Sequence, residues 1–178
     1  MKKLLLVIDM QNDFIDGALG TKEAAAIVPN VVKHIQEFEG DVLYTRDTHT
    51  DNYMETQEGR NLPVPHCIKG TPGWELCPAL KALRDADNSP VLDKVTFGAK
   101  DLPAYLEARY PGGLECVELI GLCTDICVIS NAMIVKAALP EASVIVDASC
   151  CAGVTPESHR QALEAMKVCQ IEVIGEES

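Results

Sequence analysis

The sequence predicts an α/β protein, a three-layer α/β/α sandwich around a mainly parallel central sheet of about six strands. Three observations carry that prediction. Strand-like apolar runs alternate with helix-like stretches along the whole chain, the pattern of a parallel sheet with helices on both faces. The first run, Leu4 to Ile8, is apolar without a break, as a strand buried on both faces must be. The 178 residues are 47% hydrophobic with mean hydropathy +0.06, enough for one domain over 1–178 with a sizeable core.

Each element follows from its residues. After the strand at 4–8, residues 27–38 read as a helix with Pro29 in its first turn, where a missing N–H is tolerated. Residues 41–45 form a second strand. The polar stretch from Arg46 to about Gly73 lacks periodicity, and a loop that long in a compact domain is usually functional. Residues 75–83 read as helix and 90–94 as a third strand. A helix over 102–108 ends before Tyr110-Pro111-Gly112-Gly113, a breaker. Residues 116–120 form a fourth strand, and Thr124 is a good N-cap for a helix to about Leu139. A fifth strand covers 143–146. Thr155-Pro156-Glu157 opens a helix to about Val168, and 171–174 closes the sheet.

Composition excludes whole classes. The formal net charge of −12 speaks against a nucleic-acid partner, which would need a basic patch. The opening MKKLLLVIDM imitates a secretory leader, but its apolar run stops at Asp9. No stretch has the length to span a membrane. The eight cysteines are scattered through a chain that needs no staples, so free thiols in a reducing cytoplasm are the expectation. His34 and His159 fall on predicted helices without ligand-like neighbours and read as surface or packing residues.

In such folds ligands bind beyond the carboxyl ends of the strands. There the chain places Asp9, then Asp47 and His49, then Lys94, then the segment from Gly121 to Cys127. Cys127 falls in the first turn of a helix, where the dipole favours a thiolate. Read alone, it is equally a buried thiol. Asp9 alone is equally a turn residue, and Lys94 a solvated one. Together they form a set that can work: an ammonium keeps a carboxylate charged in a partly dry site, and that carboxylate takes a thiol proton. Asp47, His49 and the later His66 offer oxygen and imidazole donors suited to zinc, iron or manganese, although a loop histidine held by hydrogen bonds reads the same way.

Three segments carry a resemblance. V-I-D-M-Q-N-D-F at 7–14, V-L-D-K at 91–94 and G-L-C-T-D-I-C-V at 121–128 resemble, in order and spacing, the signatures of the isochorismatase-like cysteine hydrolases. The likeness runs from about residue 3 to 174. It implies Asp9, Lys94 and Cys127 as a catalytic triad. It also implies a cis peptide before Cys123 and an oxyanion hole from the backbone N–H groups of Cys123 and Cys127. Cys123 stands where the family usually has a small residue such as alanine, so a second thiol lies near the site and oxidative inactivation becomes plausible. Cys127 itself argues against vinyl-ether cleavage of isochorismate, whose enzymes lack this nucleophile.

R-D-T-H at 46–49 and the segment 56–74 are similar to the metal loop of the nicotinamidase branch. That likeness implies Asp47, His49 and His66 as ligands of a divalent metal, Zn2+ first and Fe2+ or Mn2+ as alternatives. Glu58 would complete the set, with Glu55 as fallback. Phe14 and Trp74 are candidates to wall a flat substrate ring, or are packing residues. The implied activity is a cytoplasmic nicotinamidase that hydrolyses a small-molecule amide through a thioester, as a homo-oligomer in NAD salvage. An amidase for an N-carbamoyl or ureido compound is the alternative within the superfamily. A thiol or metal sensor using Cys123 and Cys127 is the non-enzymatic one, and a structural domain with coincidental motifs the last.

Overall fold

Six strands form the sheet in the computed structural model, which describes residues 2–176; Met1, Glu177 and Ser178, at the ends of the expected 1–178 domain, lie outside the described residues. The strands are β1 (Lys2–Ile8), β2 (Asp41–Asp47), β3 (Val91–Lys94), β4 (Leu114–Leu122), β5 (Ser143–Ala152) and β6 (Glu172–Ile174). Their order is β3-β2-β1-β4-β5-β6 and every pairing is parallel. The chain winds outward from β1 to one edge, then from β4 to the other. The carboxyl ends of β1 and β4 therefore flank the switch point where such sheets bind ligands.

Alternation along the strands splits the core in two. Leu4, Leu6 and Ile8 face one side with Leu119 and Val146, and there meet α5 (Leu102–Arg109), α6 (Ile129–Ala138) and α7 (Pro156–Val168). Leu5 and Val7 face the other with Ile120 and Leu122, and meet α1 (Asn12–Ile15), α2 (Lys22–Glu37) and α4 (Pro78–Asp87). The remaining helix, α3 (Gln57–Asn61), lies in the long loop after β2. The architecture is the three-layer arrangement that the sequence predicts. Among the described residues, no helix is long and apolar enough to cross a membrane.

Several boundaries differ from the sequence reading. Helix α2 begins upstream of residue 27 because Thr21 caps it, accepting from the Ala24 N–H at 3.0 Å, and three alanines follow. Pro29 thus sits inside the helix, on an exposed face that it shares with Ala25, whose carbonyl it cannot serve as donor. Helix α4 starts at Pro78, which suits a first helical position better than the interior one that a start at 75 would demand. Strands β2, β4 and β5 all run past their predicted ends, since the residues there remain paired in the sheet. Thr124 is no N-cap. Cys123 holds that position, and residues Thr124–Val128 form a π-helical turn ahead of α6.

Candidate active site and metal cluster

The site is built where strand ends need unusual backbone. Asp9 follows β1 with φ +47°, a left-handed conformation that costs a non-glycine residue about 1 kcal/mol or more. Gly121 has φ +118°, and a Cβ there would overlap the Ile8 carbonyl oxygen, so β4 passes β1 closely only as glycine. The Leu122–Cys123 peptide is cis, where the resemblance places one.

Asp9, Lys94 and Cys127 are brought together in a nearly dry space, at 0%, 4% and 5% exposure. Nζ of Lys94 lies 2.6 Å from Oδ2 of Asp9 and 3.5 Å from Sγ of Cys127, and it donates to the Thr96 carbonyl at 3.0 Å. The other Asp9 oxygen accepts the Thr45 hydroxyl at 2.7 Å. Burial lifts the Asp9 carboxyl above its usual range; the Lys94 ammonium opposes that lift and the Asp47 carboxylate adds to it. Lys94 stays charged, because the attraction of the Asp9 and Asp47 carboxylates outweighs the cost of burying the ammonium.

The surroundings of the Cys127 thiol oppose its ionisation. Its pKa is pushed well above that of a free cysteine, first by burial and then by the Asp9 carboxylate. Lys94 acts in the opposite direction, with its ammonium 3.5 Å from the sulfur.

The second cluster is contiguous with the first. Oδ2 of Asp47 lies 2.9 Å from Nε2 of His49 and 3.5 Å from Nε2 of His66, while its Oδ1 is 3.5 Å from Nζ of Lys94. Oε1 of Glu58 stands 3.4 Å from Nε2 of His49 and 3.7 Å from that of His66. The pairing of His49 with Ile68 folds the loop back, so ligands on both sides of a long insertion converge. Of the two glutamates proposed from sequence, Glu58 on α3 joins this group. The imidazoles hold the Asp47 carboxyl low against burial, which favours the neutral form. Burial disfavours charge on His49, yet Asp47 and Glu58 prevail and raise it to about 9.

These residues fit a divalent metal. One ligand atom from each of the four lies within 4.8 Å of the others. Oδ1 of Asp47 is buried without a hydrogen-bond partner. Nδ1 of His66 pairs with the Val64 carbonyl at 2.8 Å, which leaves its Nε2 toward the cluster in the manner of metal-bound histidines.

Phe14 packs its ring on His66 with centroids 5.5 Å apart. Trp74 stacks on the Arg46 guanidinium at 3.7 Å and donates its N–H to the Thr48 hydroxyl, contacts that tie it to the end of β2. Sequence reasoning missed the residues that hold the groups in place. Gln11 donates to the carbonyls of Asp47 and Trp74 at 2.8 and 2.9 Å and accepts the Asp47 N–H at 2.7 Å. Asp13 accepts the Cys67 N–H, next to His66. Asn131 bonds the backbone of Phe97, Ala99 and Cys127. Gln11 and Asp13 lie inside the opening motif, and Asn131 sits one turn after Cys127. The two histidines set aside as packing residues are also engaged. His159 pairs with the Thr124 hydroxyl at 2.7 Å, and His34 lies between Glu118 and Asp147. Their partners come from strands and turns distant in sequence, which no local pattern displays.

The chain is similar in sequence and fold to known proteins. The isochorismatase domain model matches residues 3–178. The "uncharacterized isochorismatase family protein PncA" of Bacillus subtilis is 34% identical over 75% of this chain and 78% of its own. The pyrazinamidase of Pyrococcus horikoshii, solved in complex with zinc, superposes with a TM-score of 0.81 at 28% identity, over 98% of this chain and 99% of its own. The pyrazinamidase/nicotinamidase of Streptococcus mutans gives 0.85 at 29%, over 97% and 99%. With likeness running end to end in both sequence and fold, the chain belongs to the isochorismatase family.

Proposed function

We propose that the protein is a nicotinamidase, hydrolysing nicotinamide to nicotinate and ammonia through a thioester on Cys127. The observation that carries this reading is one buried ammonium, Lys94, touching Asp9, Cys127 and Asp47 at once. It joins a nucleophile–base pair to a metal-type cluster in a single site.

The geometry supports the following steps. The substrate amide enters with its carbonyl carbon over Sγ of Cys127. Asp9 takes the thiol proton as sulfur attacks, so no free thiolate need be stabilised beforehand. Its raised pKa makes it a stronger base than an ordinary aspartate, and Lys94 orients it and keeps it ionised between turnovers. We assign the oxyanion to the N–H groups of Cys123 and Cys127. The Cys123 carbonyl is turned onto the N–H groups of Ile126 and Val128 at 3.1 and 3.0 Å, which fixes the backbone on which those donors ride. Such donors contribute about 3 kcal/mol each. Asp9 then gives its proton to the leaving nitrogen as the C–N bond breaks. Water attacks the thioester, Asp9 accepts its proton, and the acid leaves as the thiol re-forms.

Asp47, His49, Glu58 and His66 would hold the metal, with Zn2+ first and Fe2+ or Mn2+ behind it for a donor set of two imidazoles and two carboxylates. When bound, the ion supplies a Lewis-acid anchor for an electron-pair donor on the substrate. Phe14, tilted against His66, is our candidate to face a flat ring, with Trp74 supporting the loop behind. The same reading has residues 1–178 act as one domain in the cytoplasm, consistent with eight free thiols. Homo-oligomerisation belongs to it too, supported by the exposed apolar side chains of Val95 and Phe97 beside the site.

The test is ammonia release from nicotinamide by the metal-loaded chain, with Cys127→Ala in parallel. Turnover that disappears in the variant supports the reading. A metal-loaded chain that leaves nicotinamide untouched, yet releases ammonia from an N-carbamoyl or ureido compound, overturns the nicotinamidase assignment.

A further inference from the structure

A second group of side chains with metal-ligand chemistry lies away from the strand ends, beneath α2. His34 comes from the helix, Glu118 from β4, and Asp147 and Cys150 from β5. Asp147 and Cys150 are three positions apart, which in a regular strand puts them on opposite faces. Here the register slips. Leu119 pairs with Val146 and Gly121 with Cys151, so β5 advances five residues while β4 advances two. The bulge changes the parity of β5. Val144, Val146 and Ala148 face the α5–α7 side, whereas Cys150 and Ala152 face α2, and Asp147 reaches His34 on that same side. Bulges re-aim side chains in this way, often at functional sites.

We propose that His34, Asp147 and Cys150 form a second divalent-cation site, for a zinc-like ion, with Glu118 orienting the histidine from outside. One ligand atom from each of the three lies within 4.8 Å of the others. Asp147 is already oriented. Its Oδ1 accepts the Ser149 N–H at 2.9 Å and the Ser149 hydroxyl at 2.6 Å, and its Oδ2 faces Nδ1 of His34 at 3.3 Å. Glu118 provides an independent sign. It is 9% exposed, and its buried Oε1 has no aligned hydrogen bond although Nε2 of His34 is 2.8 Å away. A small turn of the ring aligns Nε2–H with that oxygen and leaves the Nδ1 lone pair for a cation, the carboxylate–histidine–metal arrangement.

Binding would release the ligands' protons to solvent. The donors match a borderline-soft ion: one imidazole, one carboxylate and one thiolate, with a fourth position left over. A groove of about 550 Å³ reaches His34 from solvent; Glu37, Glu39, Glu115 and Glu118 line it with a single lysine, Lys3. That charge balance concentrates cations at the opening.

Cobalt titration of the full chain tests this. The four-ligand set at Asp47 contains no thiolate, so Co2+ there gives no sulfur-to-cobalt charge-transfer band in the near ultraviolet. The second site has one. The expected result is two Co2+ per chain and a charge-transfer band that Cys150→Ser abolishes, that Cys127→Ala leaves in place, and that persists in His49→Gln. Glu118→Gln should weaken the binding that produces the band about 10–100-fold. An intact chain that takes up Co2+ with no such band overturns the proposal, whatever the variants do. So does a band that survives Cys150→Ser.

Discussion

Oδ2 of Asp9 lies 2.6 Å from Nζ of Lys94, and neither side chain has more than 1% of its surface exposed. A pair that dry is stable only while both partners are present, since one charge left alone in the interior costs several kcal/mol. Lys94 also faces Asp47, so its removal strands two carboxylates. Lys94→Met should therefore destabilise the fold by about 3–5 kcal/mol. Asp9→Asn, which keeps the shape, should cost less stability and lower kcat by about 10²–10⁴-fold as the base is lost. Denaturant unfolding beside steady-state rates separates the two. Equal loss of stability in both variants would contradict the central role given to the ammonium.

The acid limb of activity follows from Asp9. The base must be ionised, and its pKa is raised from 3.8. Activity should thus fall, as pH drops, at a value above the ordinary aspartate range. Thr45→Val removes the hydroxyl that donates to Asp9 at 2.7 Å and accepts its N–H at 3.2 Å. Losing a donor to the charged form raises the pKa further, so the limb of kcat/KM should move to higher pH. The variant should also lose about 1–3 kcal/mol of stability for buried groups left unpaired. An unmoved limb would mean that another group controls it.

Metal removal should act mainly on binding. The metal ligands surround Asp47 and not Cys127, so chelation should raise KM more than it lowers kcat. Glu58→Ala should lower metal content, measured by atomic absorption, while Glu55→Ala leaves it unchanged. A drop in metal with Glu55→Ala alone would reverse the assignment of the fourth ligand.

Asn131 ties the loop after Lys94 to the nucleophile turn. It accepts the Ala99 N–H at 2.9 Å and donates to the carbonyls of Phe97 and Cys127 at 3.1 and 2.8 Å. Asn131→Ala leaves these groups unpaired in the interior, an effect of about 1–3 kcal/mol for a buried polar group. Its Tm should fall and its kcat should fall with it. Asn131→Asp should restore the bond from Ala99 and not those to the carbonyls. A full recovery by aspartate would show that the carbonyl contacts contribute nothing.

Much of this was legible in the chain. The unbroken run Leu4–Ile8 announced a strand buried on both faces, and the order of elements announced the parallel sheet. Asp9, Lys94 and Cys127 could be grouped because each follows or ends a strand and all such ends share one rim. Helix boundaries were harder. Thr21 and Pro78 are both start signals, yet starts at 27, with Pro29 in the first turn, and at 75 pass them by. What sequence concealed was contact between distant elements. The bulge in β5 puts Asp147 and Cys150 on one face, and no residue in the run S-V-I-V-D-A-S-C-C-A signals a change of parity. The burial of Cys127 was concealed too, since a helix start alone points to a lowered pKa and only the packed site shows desolvation acting the other way.

The central claim is a covalent intermediate on one sulfur. Acid quenching of the metal-loaded chain during turnover of nicotinamide, followed by mass analysis, tests it most directly. The account predicts a single acyl group added to the chain, located by peptide mapping at Cys127 and absent from Cys127→Ala. Continued ammonia release by Cys127→Ala, or an acyl group on a different residue, would contradict it.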